Sequence, residues 1–165
     1  MVIVKILSSL DMFNLRKINW RQAFVLSGAI LIATIAALLA MGRVVICTCG
    51  EIWLWSGNIL SSNNSQHISD PYTFSHIIHG FIFFWLLWLV AKKWPMSMPF
   101  RFFVAMLIES VWEVWENSSF IINRYREATI SLNYYGDSVI NSSFDILACL
   151  IGFYIAMKLP ARYII

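Results

Sequence analysis

The chain has 165 residues, of which 59% are hydrophobic and only 13% charged, with a mean hydropathy of +0.70. That length suits one small domain, and that balance lies outside the range of water-soluble globular proteins. The formal net charge of +3 comes from Lys and Arg gathered between apolar stretches, so it reports orientation in a membrane and gives no sign of a nucleic-acid partner.

Four stretches are long enough to cross a hydrocarbon core about 30 Å thick: Ala23–Gly42, Tyr72–Ala91, Phe102–Asn123 and Ser138–Met157. The expected fold is therefore all-α, an integral membrane bundle of four transmembrane helices forming a single domain over residues 1–165. Residues 1–21 form an arm that mixes Ile, Leu and Phe with scattered charges and suits the cytoplasmic membrane interface. The first span carries no charge and no small-residue cleavage site follows it, so it reads as a retained anchor.

A long extracytoplasmic loop, Ile46–Asp70, comes next. It opens on Cys47-Thr48-Cys49-Gly50, continues through Trp53-Leu54-Trp55 and ends in a polar run. The tryptophans suit an ordered segment at the membrane–water boundary. A Cys-x-Cys pair is too close for an unstrained disulfide in most backbones, which leaves a buried structural pair, soft-metal ligation or redox work open. Cys149, inside the fourth span, reads as packing.

Span two carries His76 and His79 near its start, and the turn Lys92–Pro99 is short and proline-stiffened, so spans two and three are expected to be antiparallel neighbours. Span three holds Glu109, Glu113 and Glu116 on one face, with Glu113 and Glu116 within about 40° of Glu109 on either side. An outer connection, Arg124–Gly136, leads to Asp137 or Ser138 as N-cap of the last helix. Asp137, Asn141 and Asp145 then follow at i, i+4 and i+8.

The arm, the second connection and the tail hold nine Lys and Arg residues, against three in the other two connections. By the positive-inside rule both termini lie in the cytoplasm. On that topology the histidines, the glutamate stripe and the Asp/Asn stripe all fall in the outer half of the bilayer.

Each acidic residue at a helix centre costs roughly 2.5–3.5 kcal/mol on insertion scales, so such groups normally face a bundle interior or water. Carboxylates and imidazoles at helical spacing are what a divalent Zn, Mn or Fe site needs. His76, His79, Glu113, Glu116 and Asp145 are the metal-ligand candidates. Glu109 is a general base or a partner behind a ligand, and Glu113, Asp137 and Asn141 complete the catalytic candidates. Arg124 and Arg126 could hold a lipid head group, or equally could pair with Glu127 and Asp137. His67 and Asp70 are candidates for substrate contact from the loop. The leading expectation is a metal-dependent membrane enzyme acting on a lipid or lipid-linked substrate at the periplasmic side. Two others stay open: a proton or ion carrier using the same carboxylates, and a structural or assembly subunit with a partner membrane protein.

The runs Ile46-Cys47-Thr48-Cys49-Gly50, Asn64–Asp70 and Ser75-His76-Ile77-Ile78-His79-Gly80 carry a resemblance. So do Glu109 with Trp112-Glu113 and Glu116-Asn117, Arg124–Thr129, and Tyr134–Ser142. Together they resemble an uncharacterised family of small multi-pass inner-membrane proteins of proteobacteria, over Arg43 to about Pro160. The resemblance implies a bacterial inner-membrane location and carries no activity with it.

Overall fold

A computed structural model describes residues 16–128 and 132–160, and the expected interfacial arm falls mostly outside them. The described residues form five helices and no strand: α1 (Trp20–Ala40), α2 (Thr73–Lys93), α3 (Met98–Glu116), α4 (Ser119–Ala128) and α5 (Val139–Lys158). The all-α expectation holds, with element ends within a few residues of the four stretches except in the third.

Local signals explain where the helices begin. Asn19 and Gln22 close a reciprocal capping box on α1, each side chain accepting from the other's backbone N–H at 2.9 Å. Ser97 caps α3, with Pro99 in its first turn where a missing N–H costs nothing. At α5, Ser138 Oγ accepts from Asn141 N, while the N–H groups of Val139 and Ile140 donate to the carbonyls of Val44 and Val45. The start of the last helix is thus completed by the start of the long loop.

The third stretch corrects the sequence reading. Phe102–Asn123 was expected to be one span, but α3 ends at Glu116 and a separate ten-residue helix, α4, follows. The cause is Asn117, which is fully buried. Its Nδ2 donates to Glu113 O and Asp137 Oδ2, and its Oδ1 accepts from Asp137 N at 2.7 Å. Three helices, α1, α2 and α5, are long and apolar enough to cross a membrane. α3 has 19 residues and carries Arg101 and three glutamates, and it stands apart from those three.

The most extensive pairing joins α2 to α5, and α3 packs on α1, α5 and α2. The α2–α5 crossing is backbone on backbone. A Cβ on Gly80 would run into Cys149 O and Phe153 N, and one on Gly152 would run into Ile77 O. Small residues at such a crossing let helices approach closely where there is no water to drive them together. Below it, Phe84, Leu87, Phe102, Ala105, Phe153 and Ala156 form the apolar core, with the Phe84 and Phe153 rings edge to face at 5.3 Å. Above it lies a polar end built from the start of α2, the end of α3 and the start of α5.

The long loop is ordered by its own bonds. Ile68 N donates to Trp53 O, Ser56 N to Ser69 O, and Trp53 N to His67 Nδ1. Cys47 and Cys49 are joined as a disulfide, which corrects the expectation drawn from their spacing. Gly50 N donates to Cys47 O at 3.0 Å and Gly50 sits at φ +79°, so the chain folds back tightly there. The Cα atoms end 5.2 Å apart, inside the disulfide range.

Candidate metal centre

Three helices bring four of the five candidate ligands, together with Glu109, to one place. His76 Nδ1 lies 2.5 Å from Glu109 Oε1 and 3.4 Å from Glu113 Oε1, while its Nε2 lies 3.8 Å from Asp145 Oδ2. His79 Nδ1 contacts both oxygens of Glu109, at 3.2 and 3.1 Å. Glu109, Glu113, Asp145 and His76 are buried, and His79 is half-buried. Side chains of α2, α3 and α5 are thus in direct contact.

Two sets of donor atoms could hold an ion, each with its atoms within 4.8 Å of one another: His76, His79 and Glu109, and His76, Glu113 and Asp145. The second has a distinguishing feature. Both Glu113 oxygens are buried and neither makes a hydrogen bond of good geometry, with only the Ser142 hydroxyl and, at 3.4 Å, His76 Nδ1 beside them. A carboxylate in that state is costly unless something cationic satisfies it. Asp145 receives one bond, from Thr73 Oγ1 at 2.9 Å, which leaves its second oxygen facing His76.

Beside this set is a cavity of about 160 Å³, lined by His76, Asp145, Glu116 and Asp137 with Tyr72, Tyr125, Tyr134, Asn64 and Ser65. Glu116 therefore faces the cavity and is no member of either donor set. Burial and the neighbouring Glu116 carboxylate, to which it is hydrogen-bonded, push the Tyr125 hydroxyl up to about 12. It is a donor at neutral pH. Asp137 accepts from Asn117 Nδ2 at 2.8 Å and from Tyr134 Oη at 3.0 Å. Burial, reinforced by Glu116 and Asp145, pushes its carboxyl up to about 8.

The remaining candidates sit elsewhere. Asn141 donates to His67 O at 2.9 Å and reaches Asp70 Oδ2 at 3.5 Å. Asp70 is buried and accepts from Ser65 N and Tyr72 N, so it ties the loop's polar run to the start of α2. The His67 ring is stacked on Trp53 at 4.2 Å, within 4.8 Å of Cys47 and Cys49 rather than among the carboxylates. Arg124 and Arg126 are exposed on α4 and do not line the cavity. Sequence reasoning passed over Asn117, Thr73, Tyr125 and Tyr134. Only Asn117 had left a signal, as an amide followed by Ser118-Ser119 inside an apolar helical run.

Residues 38–165 match the family described as "Protein of unknown function (DUF2585)". A UPF0314 protein of Paracoccus denitrificans is 54% identical over 132 residues, covering 79% of this chain and 67% of that protein. One from Brucella anthropi is 51% identical over 140 residues, covering 82% and 70%, and one from Agrobacterium fabrum is 45% identical over 145, covering 88% and 71%. The chain thus spans roughly two thirds of the length of these relatives. No solved structure matches. With the match running from the end of α1 through α5 and relatives near 50% identity, this chain belongs to the DUF2585 family.

Proposed function

We propose that the protein is a four-span inner-membrane enzyme that uses one divalent ion, held by His76 Nε2, Glu113 and Asp145, on a lipid or lipid-linked substrate at the periplasmic face. The observation that carries this reading is the buried Glu113 carboxylate, neither oxygen of which makes a hydrogen bond of good geometry, set against an imidazole and a second carboxylate beside a cavity. Donors bound to one tetrahedral ion at about 2.0–2.1 Å lie roughly 3.3 Å apart. His76 Nε2 and Asp145 Oδ2 stand 3.8 Å apart, near that spacing.

Glu109 plays the part of a partner behind the ligand. It accepts from His76 Nδ1–H, which fixes the tautomer that leaves Nε2 with a lone pair for the ion. His76, Glu113 and Asp145 would hold the ion beside the cavity, and the ion would supply an acidified water there for hydrolysis. Tyr125 and Asp137 line the same cavity. Zn, Mn and Fe all accept this mixed oxygen and nitrogen set. The cavity's mix of tyrosines with Asn64 and Ser65 suits a polar head carrying an apolar chain. The lipid setting is supported by α1, α2 and α5 and by outward residues such as Ile32, Val111 and Ile151, which are more than half exposed. The excess of Lys and Arg in the arm, second connection and tail supports cytoplasmic termini.

A second reading draws on the run His79–Glu109–His76, which links a half-buried imidazole to the buried carboxylates through hydrogen bonds. That is the shape of a proton relay.

Elemental analysis of the detergent-purified full chain, beside Glu113→Ala and Asp145→Ala, separates the two. The enzyme reading expects about one Zn, Mn or Fe per chain, lost in both variants. Folded wild-type protein free of metal sinks it. Proton uptake in proteoliposomes that Glu109→Gln abolishes then takes its place.

A further inference from the structure

A second group of reactive side chains lies outside the carboxylate site, and the carboxylate chemistry makes no use of it. Cys47, Cys49 and His67 are brought together by the long loop, with one sulfur from each cysteine and a ring nitrogen of His67 within 4.8 Å of one another. The two sulfurs are unequal. Cys49 is exposed, whereas Cys47 is only 2% exposed. Cys47 Sγ also receives a hydrogen bond from the backbone N–H of Cys49, at 3.1 Å. His67 is 1% exposed, and its Nε2 is buried with no hydrogen-bond partner.

The state of that ring follows from its other nitrogen. Trp53 N–H can only donate, so His67 Nδ1, at 3.2 Å, must be the acceptor. Burial lowers the pKa of the ring against a smaller opposing pull from Glu51, which keeps it neutral at pH 7. A neutral imidazole that accepts at Nδ1 carries its hydrogen on Nε2. The stacked Trp53 ring, 12° from parallel, fixes the orientation. The one free donor of the cluster is therefore a buried Nε2–H beside a sulfur pair.

We propose that Cys47–Cys49 is a thiol–disulfide exchange centre, in which Cys49 is attacked by an external dithiol, Cys47 leaves as the thiolate and His67 Nε2–H holds that thiolate. The external thiolate forms a bond to Cys49 Sγ as the Cys47–Cys49 bond breaks, and the bonding electron pair stays on Cys47 Sγ. The Cys49 N–H, 3.1 Å from Cys47 Sγ, and the His67 ring, with a nitrogen within 4.8 Å of the sulfurs, stand beside the charge that develops there. The second thiolate of the external dithiol then attacks its own sulfur in the mixed disulfide and releases Cys49 as a thiolate. Solvent protonates the released thiolates. The external dithiol is oxidised to its disulfide, and the chain's disulfide is reduced to two thiols, so two electrons pass in all. Soft-metal ligation by the same trio is disfavoured by the tautomer, because the Nδ1 lone pair is committed to Trp53 and Nε2 carries a hydrogen.

The test uses the full chain in detergent, equilibrated with dithiothreitol or graded glutathione mixtures, acid-quenched, denatured and tagged with a maleimide for intact mass. Cys149 is a free buried thiol and supplies one tag in every sample. The proposal expects native protein to pass reversibly between one tag and three. Cys47→Ser should trap one glutathione on Cys49, while Cys49→Ser should leave Cys47 unmodified. His67→Phe keeps a ring on Trp53 and removes the donor, and it should slow reduction about tenfold. A pair that stays oxidised until the protein is denatured overturns the proposal. So does reduced protein that retains about one Cu or Zn per chain, lost in His67→Phe. If His67→Phe fails to fold, the reversible change in wild type and the selective trapping at Cys49 decide alone.

Discussion

Glu109 Oε1 sits 2.5 Å from His76 Nδ1, on the opposite side of the imidazole from Asp145. The ring is held from behind by a residue of α3 and presents its other nitrogen to a residue of α5. A substitution at Glu109 therefore acts on the proposed ion through His76. Glu109→Gln is expected to weaken metal retention 10–100-fold while leaving the ligands in place. Competition with a graded chelator series measures this, and affinity equal to wild type would remove Glu109 from that role.

The α2–α5 crossing predicts opposite signs for chemically identical changes. Ala at Gly80 or Gly152 forces a methyl group into the facing backbone, with an expected loss of about 1–3 kcal/mol. Gly28, on α1, has nothing within 4 Å of where its Cβ would stand. Gly28→Ala should therefore stabilise by up to about 1 kcal/mol through helix propensity. Unfolding in mixed detergent compares the three, and a loss at Gly28 equal to that at Gly80 would refute the tight crossing.

Asp137 links the polar end to pH. Its carboxyl titrates near 4 when unfolded and at about 8 when folded. Between those values the folded chain holds a proton that the unfolded chain has lost, so its contribution to stability is complete below about pH 4 and is lost as pH rises through 8. Metal-free protein should melt at progressively lower temperature across that window. Asp137→Asn should flatten the slope, since the Tyr134 hydroxyl can rotate to suit the amide. An unchanged slope would show that Asp137 is ionised in the fold.

Ser138→Ala removes both the N-cap of α5 and the hydroxyl that donates to Gln66 O at 3.0 Å. The expected cost is about 1 kcal/mol. Hydrogen exchange at the Asn141 amide should accelerate more than exchange at Phe153, which reports the core. Equal acceleration at both would mean that the whole helix, rather than its cap, depends on Ser138.

Much of this arrangement was legible in the chain. Helical spacing put Glu109, Glu113 and Glu116 on one face, and their positions along the expected spans placed them near His76 and Asp145, which they contact or neighbour. The contacts that decide roles were not legible, because they join residues far apart in sequence. Asn117 breaks the third stretch because Asp137, twenty positions on, takes its side chain. His67 reads as a loop residue near the carboxylates until Trp53, fourteen positions back, turns its ring to the cysteines. Gly80 and Gly152 look like ordinary helix glycines until the two backbones meet.

The loop that supplies carbonyls to the first turn of α5 acts as a keystone. Asn141 bonds His67 O across 74 positions, and Gln66 Nε2 bonds Gly136 O across 70. These bonds are few and polar, while the crossing and the phenylalanine core below are apolar and dense. Local opening begins where such contacts are thinnest. The polar end is therefore expected to open first while the helices stay packed, admitting water and ions to Glu113 and Asp145 along the bundle axis.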